Sequence, residues 1–336
     1  SIVCVTAQHR EMLDQVLSLF NIEPDFDLNI MKPGQNLWEL TSSVLLEMKT
    51  VLEKAKPDVV LVHGDTTTAF AASLSSFYAE TPIGHVEAGL RTFNKYYPFP
   101  EEINRVLADA VSSFHFAPTQ RSVENLLNSG ISKDSIYLTG NTVIDALLHT
   151  VENHETNLPE LELDENLKTI LLTSHRRENF GEPLKNICKA IKLLVERNED
   201  IQIVYPVHLN PQVKDVVHQI LGGIKRIHLI EPLDYAPFST LLKKSYIVIT
   251  DSGGIQEEAP SLGKPVLVLR DETERPEAVE QGTVELVGTN TETIISSVEE
   301  LLKNQNKYKQ MSTASNPYGD GKAAKRIADV LSTIRS

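Results

Sequence analysis

Short apolar runs, each too short for a helix and each followed by an amphipathic stretch, recur from one end of this chain to the other. Runs at 2–6, 58–63, 83–87, 114–117 and 136–138 read as strands, and 12–20 and 37–54 between them carry a helical period. A second series follows, with strands at 169–173, 201–206, 227–230, 246–250 and 266–269 and helices at 184–197, 237–243 and 291–303. Strands that alternate with helices form parallel sheets covered on both faces. The stretch 152–168 is polar and acidic and reads as a linker, so two α/β domains are expected, 1–150 and 151–321, with a cleft between them. Ligands of such sheets bind beyond the carboxyl ends of the strands. The opening SIVCVT reads as a buried strand with no lead-in, so the numbering is expected to begin inside a domain whose first strand and helix precede Ser1.

Composition narrows the class of function. The formal charge is −14, with no basic stripe, which argues against a nucleic-acid binder but not against a small anion held by local cations. The two cysteines, Cys4 and Cys188, are far apart and suggest neither a disulfide framework nor a zinc site, which fits a reducing cytoplasm. No apolar run approaches the ~18 residues of a membrane span, and no signal peptide is visible. The chain has no G-x-G-x-x-G, no G-x-x-x-x-G-K-[ST], no H-E-x-x-H and no G-x-S-x-G. Neither a nicotinamide cofactor nor a metal is therefore expected.

Polar clusters follow directly after the strands: His63-Gly64-Asp65-Thr66, Glu87-Ala88-Gly89-Leu90-Arg91, His175-Arg176-Arg177-Glu178, His208 and Asp251-Ser252-Gly253-Gly254. Any one of them could be an ordinary helix cap, and Asp65 with Thr66 alone would more often be one. Five on the same edge of two sheets point to a shared site. Gly253 and Gly254 open a helix, where free N–H groups favour an anion, although a glycine pair also makes a plain tight turn. Arg176, Arg177 and Arg275 could supply cations, or could be surface ion pairs. Glu101 and Glu102 could be catalytic carboxylates, or simply acidic residues at a helix start.

Taken together, HGDTTTA, GHVEAGLRT, PFPEEINR, TGNTVIDAL, SHRRENFG, YPVHLNP, TDSGGIQEEAPSLGKPVLVLRDETERPEA and NPYGDG closely resemble the non-hydrolysing UDP-N-acetylglucosamine 2-epimerases of bacteria, in the family's order. The resemblance implies two Rossmann-like domains, similar to the B-type glycosyltransferase fold, with a C-terminal helix at 322–336 that rejoins the first. It implies interconversion of UDP-N-acetylglucosamine and UDP-N-acetylmannosamine through 2-acetamidoglucal, without a cofactor. A hydrolysing 2-epimerase and a UDP-sugar glycosyltransferase are the alternatives. It further implies a cytoplasmic homodimer that serves surface-polysaccharide synthesis. Asp65, Glu87 and Glu101 match the family's acid/base candidates, and His208 matches a histidine near the substrate. Ser252, Gly253 and Gly254 match phosphate contacts, Glu258 a ribose contact, and Arg275 falls in the diphosphate pocket. Gln8, Glu101, Arg176 and His208 match a second site at which UDP-N-acetylglucosamine acts as an activator. Glu11 and Gly34 depart from the glutamine and arginine found there in some members. Family members also begin with a strand and a G-T-R-P-E loop that this chain lacks, so the chain as written is expected to be impaired. Glu257, a neighbour of Glu258 on an ideal helix but about 100° away, is expected to be a solvated or structural residue.

Overall fold

Three parallel sheets account for the alternation in the computed structural model, which describes residues 1–7, 10–32, 34–154, 156, 158, 161–273 and 275–333. In chain order the elements begin with β1 Cys4–Val5, α1 Arg10–Leu19, β2 Phe26–Asp27, α2 Leu37–Ala55, β3 Val60–His63, α3 Thr67–Tyr78, β4 Ile83–Val86, α4 Glu101–Val111, β5 Phe114–Ala117, α5 Gln120–Asn128 and β6 Ile136–Leu138. There follow α6 Thr142–Asn153, β7 Lys168–Thr173, α7 Glu182–Arg197, β8 Ile201–Pro206, α8 Pro211–Leu221, β9 Ile227–Ile230, α9 Tyr235–Lys244, β10 Ile247–Thr250 and α10 Gly253–Ser261. The chain closes with β11 Val266–Val268, α11 Pro276–Glu280, β12 Val284–Leu286, α12 Thr291–Lys303, α13 Gln305–Thr313 and α14 Ala323–Ser332.

The chain divides into two units, 1–142 with 321–336 and 143–320. The first holds a four-stranded sheet in the order β3-β4-β5-β6 and the small β1-β2 pair. Its helix α2 starts at a capping box, in which Asn36 accepts from Glu39 N and the Glu39 side chain accepts from Asn36 N. Leu40, Val44, Met48, Val51 and Leu52 form its buried stripe. Against it lies α3, whose small residues Ala71, Ala72, Ser73, Ser75 and Ser76 are buried and allow close approach. The C-terminal helix α14 belongs to this unit, where Arg326 donates to the Thr139 carbonyl at 2.9 Å.

The second unit is a six-stranded sheet in the order β12-β11-β10-β7-β8-β9. Its strands read as continuous apolar runs because both faces are covered. Alternate residues nevertheless go to different cores: Ile170 and Leu172 to one, Leu171 to the other, and likewise Ile247 and Ile249 against Val248. That is the period of two expected of a strand. Each fully buried Leu or Ile of this kind contributes about 1.5–3 kcal/mol.

Three sequence expectations change. Residues 2–6 form only the short β1, paired with β2, a strand too brief and too acidic to stand out. The boundary falls at 142/143 rather than near 150, because Ile144, Leu147 and Val151 of α6 pack into the core of the second unit. For the same reason 152–168 is not a bare linker: Leu158, Leu161 and Leu163 pack on that core as well. Among the described residues, no helix is long and apolar enough to cross a membrane.

Candidate active site

The opening turn of α10 is built around a cation. Ser252 is its N-cap without a side-chain capping bond, so the first N–H groups of the helix are not consumed by that side chain. An anion there meets both free donors and the positive end of the helix. Gly253 is required by crowding: a Cβ at that position would stand 2.5 Å from Arg275 Nη1. Arg275 is held in turn by Glu257, whose Oε1 accepts from Nε at 2.5 Å. Thr273 ties the same loop to the helix, donating to Gln256 Oε1 at 2.7 Å and accepting from Arg275 N at 3.1 Å. Glu257 is therefore no solvated neighbour. It is 4% exposed, and Asn316 fixes its carbonyl at 2.8 Å.

Glu258 has a different environment. Its Oε1 accepts from the Tyr235 hydroxyl at 3.1 Å, and burial is the main reason its pKa rises to about 7, opposed by the Tyr235 hydrogen bond and reinforced by the Glu257 charge. The same burial, with Glu258 beside it, pushes the Tyr235 phenol up strongly. Tyr235 was not among the residues singled out from sequence, since a lone Tyr at a helix start carries no pattern.

Asp251 closes the carboxyl ends of β7 and β10. It has no exposed surface, and its Oδ2 accepts from Ser174 Oγ, His175 N, Arg176 N and Asn179 Nδ2 at 2.9–3.0 Å. Four donors on one oxygen compensate a buried charge and hold the 174–179 loop in a single path. On that loop His175 stacks against His208, with ring centroids 6.2 Å apart and planes 19° apart. The His208 Nδ1 accepts from Asn210 N at 3.1 Å, leaving Nε2 to carry the proton of the neutral ring. His175 Nδ1 also approaches Asp251 Oδ1 at 3.3 Å. The sequence reading attended to the arginines of HRREN and gave His175 no role of its own. Its proximity to His208 is long-range and invisible in sequence.

The three acid/base candidates lie in the first unit. Thr66, not Asp65, caps α3, accepting from Ala69 N at 3.1 Å. Asp65 is left to pair with Arg105, and Asn104 donates to its carbonyl at 2.9 Å. Glu87 lies against Gly64: a Cβ there would be 3.1 Å from Glu87 Oε2, and Asn141 donates to the other oxygen at 3.1 Å. Glu87 itself holds a left-handed backbone, φ 65°, which is uncommon outside glycine and clusters at functional sites. The two glutamates opening α4 divide their tasks. Glu102 is buried and accepts from the N–H groups of Thr92 and Phe93, while Glu101 remains partly exposed. Arg275, Gly253, Gly254, Ser252, Glu258, Arg176 and His208 all fall in the second unit. Gln8 lies outside the described residues. Among the described residues, no cluster of His, Cys, Asp and Glu is arranged to hold a metal.

Known proteins resemble this chain along nearly its whole length. The family model described as UDP-N-acetylglucosamine 2-epimerase matches residues 1–332. The chain is 56% identical to UDP-N-acetylglucosamine 2-epimerase of Bacillus subtilis over 331 residues, covering 98% of this chain and 87% of that protein. It is 55% identical to the Escherichia coli K12 protein of the same name over 341 residues, covering 99% and 91%. The solved structure of UDP-GlcNAc 2-epimerase from Neisseria meningitidis, bound to UDP-GlcNAc, superimposes with a TM-score of 0.89 at 53% identity, covering 99% of this chain and 92% of that one. On the family match, the identities and the shared fold, the chain belongs to the UDP-N-acetylglucosamine 2-epimerase family.

Proposed function

We propose that this protein interconverts UDP-N-acetylglucosamine and UDP-N-acetylmannosamine without hydrolysing them. The observation that carries this reading is the make-up of α10: a helix N-terminus with Arg275 fixed over Gly253, and a buried carboxylate, Glu258, one turn further on. A diphosphate suits the first and ribose hydroxyls suit the second, so the element is built for a nucleotide rather than for phosphate alone.

Carbon 2 of the sugar is not next to a carbonyl, so its proton is poorly acidic, and the handle is the good leaving group at carbon 1. The workable route is elimination. A carboxylate takes the carbon 2 proton, the carbon 1–oxygen bond breaks, and UDP leaves with the bonding pair, giving 2-acetamidoglucal. A proton delivered to the opposite face of carbon 2, with return of the UDP oxygen to carbon 1, completes the inversion. Asp65, Glu87 and Glu101 are assigned to proton transfer, with His208 acting near the substrate. Ser252, Gly253, Gly254 and Arg275 stabilise the charge developing on UDP, and Glu258 positions the ribose. Gln8, Glu101, Arg176 and His208 are assigned to a second, regulatory site for UDP-N-acetylglucosamine, in a cytoplasmic homodimer.

The test is product analysis with UDP-N-acetylglucosamine and no sugar acceptor. UDP-N-acetylmannosamine supports the reading. Free N-acetylmannosamine with UDP makes the protein a hydrolysing epimerase, and an unchanged substrate that is consumed only when an acceptor is added makes it a transferase.

A further inference from the structure

We propose that His85 is a positioning residue for the carboxylates of the first unit: a buried imidazolium, clamped between Asp109 and the Gly64 carbonyl, that fixes the Gly64–Asp65 turn and presents a positive charge to Glu87. What those carboxylates do rests on the epimerase reading; the charge and position of His85 do not.

The ring has no exposed surface. Its Nε2 lies 2.8 Å from the Gly64 carbonyl oxygen, which can only accept, so Nε2 carries a proton. Its Nδ1 lies 2.5 Å from Asp109 Oδ1. A neutral ring would direct a lone pair at a carboxylate oxygen there. Protonating Asp109 instead is opposed by Arg91, which donates to Oδ2 of the same carboxylate at 2.6 Å. Both ring nitrogens therefore donate. Burial works against the cation, and the hydrogen bond and charge of Asp109, the Gly64 carbonyl and Glu87 outweigh it, so the His85 pKa rises. For Asp109 burial again opposes the charge, and His85 with Arg91 prevails, so its pKa falls.

Charged or titratable groups lie on each element beside β4. The segment after β4 brings Glu87 and Arg91; α4 brings Glu102, Arg105 and Asp109; β3 and its following turn bring His63 and Asp65. β5 brings His115, whose Nε2 meets the Asp109 carbonyl at 2.9 Å. Within the buried triad, Arg91 offsets Asp109 and the charge of His85 is left over. It reaches the site through the Gly64 carbonyl, and Gly64 is the residue on which the Glu87 carboxylate rests.

The experiment follows Glu87 directly, by carbon NMR of full-length protein labelled at glutamate carboxyl carbons, with the Glu87 signal assigned through Glu87→Gln. In His85→Gln the midpoint of Glu87 is expected to rise by about one pH unit, with UDP affinity unchanged because the UDP residues lie in the other unit. The acid limb of kcat/KM moves with it, and KM stays within about threefold. Asp109→Asn, which leaves His85 in place but removes its anion, shifts Glu87 the same way. Nitrogen NMR of the unmutated protein must show both His85 nitrogens protonated at pH 7.5, a readout that needs neither variant to fold. A Glu87 midpoint that stays put in a folded variant, or a neutral His85 ring at that pH, overturns the proposal. Neither readout depends on turnover, so an inactive protein would refute the epimerase reading and leave this one decided on its own.

Discussion

Arg275 donates from Nε to Glu257 Oε1 at 2.5 Å, and its guanidinium lies over the Cα of Gly253. One pair thus explains how a turn proposed to hold an anion can carry a glutamate in its own helix: the carboxylate holds the cation. Glu257→Gln weakens that grip and should lower UDP affinity by about tenfold, the cost of about one charge-assisted hydrogen bond. Titration calorimetry with UDP checks it.

Gly253→Ala tests the same geometry from the other side. A Cβ 2.5 Å from Nη1 must displace the guanidinium, while the open space around Gly254 tolerates a methyl group. UDP affinity should fall by about tenfold or more in Gly253→Ala and by much less in Gly254→Ala. Equal losses in the two variants would contradict the assigned role of Arg275.

Glu258 makes stability depend on pH in a defined window. Its pKa is raised from 4.5 to about 7 in the fold, so the unfolded chain ionises first. The penalty is absent below the lower value, grows between the two and is complete above pH 7, where it reaches about 3 kcal/mol. Glu258→Gln should therefore raise Tm at pH 8 and leave it unchanged at pH 4, while weakening UDP-N-acetylglucosamine binding. A Tm difference that is the same at both values would sink this account.

Much of this architecture was legible in the sequence because apolar periodicity is a local property. The strands at 114–117, 136–138, 201–206 and 227–230 appear where their apolar runs place them. What escaped was either very short or non-local. The β1–β2 pair and β12 are two or three residues long, and Glu285 interrupts the apolar run of β12. The roles of Glu257, Tyr235, His175 and His85 depend on partners 18, 23, 76 and 24 residues away or on ring stacking, and no spacing rule announces such contacts. Glu101 and Glu102 look alike in PEEINR, and only burial separates the residue that clamps a loop from the one left partly exposed.

Asp251 should behave as a structural carboxylate. Asp251→Ala leaves four donors of the 174–179 loop without their acceptor and should cost about 3–5 kcal/mol. Thermal unfolding should show a large drop in Tm. A small one would mean that the loop finds other acceptors.

Asp65→Asn, Glu87→Gln and Glu101→Gln should each lower turnover by about 10²–10⁴-fold if they transfer protons. UDP affinity, which the proposed assignment gives to residues of the second unit, should remain within about threefold. Parallel loss of binding and turnover would argue that these carboxylates hold the substrate rather than act on it.

The most direct test of the elimination route is incubation of the protein with UDP-N-acetylglucosamine in deuterated water, followed by proton NMR of the products. Abstraction and replacement of the carbon 2 proton predicts UDP-N-acetylmannosamine carrying deuterium at that carbon. An epimer that keeps its original hydrogen throughout, or no nucleotide-linked epimer at all, would contradict it.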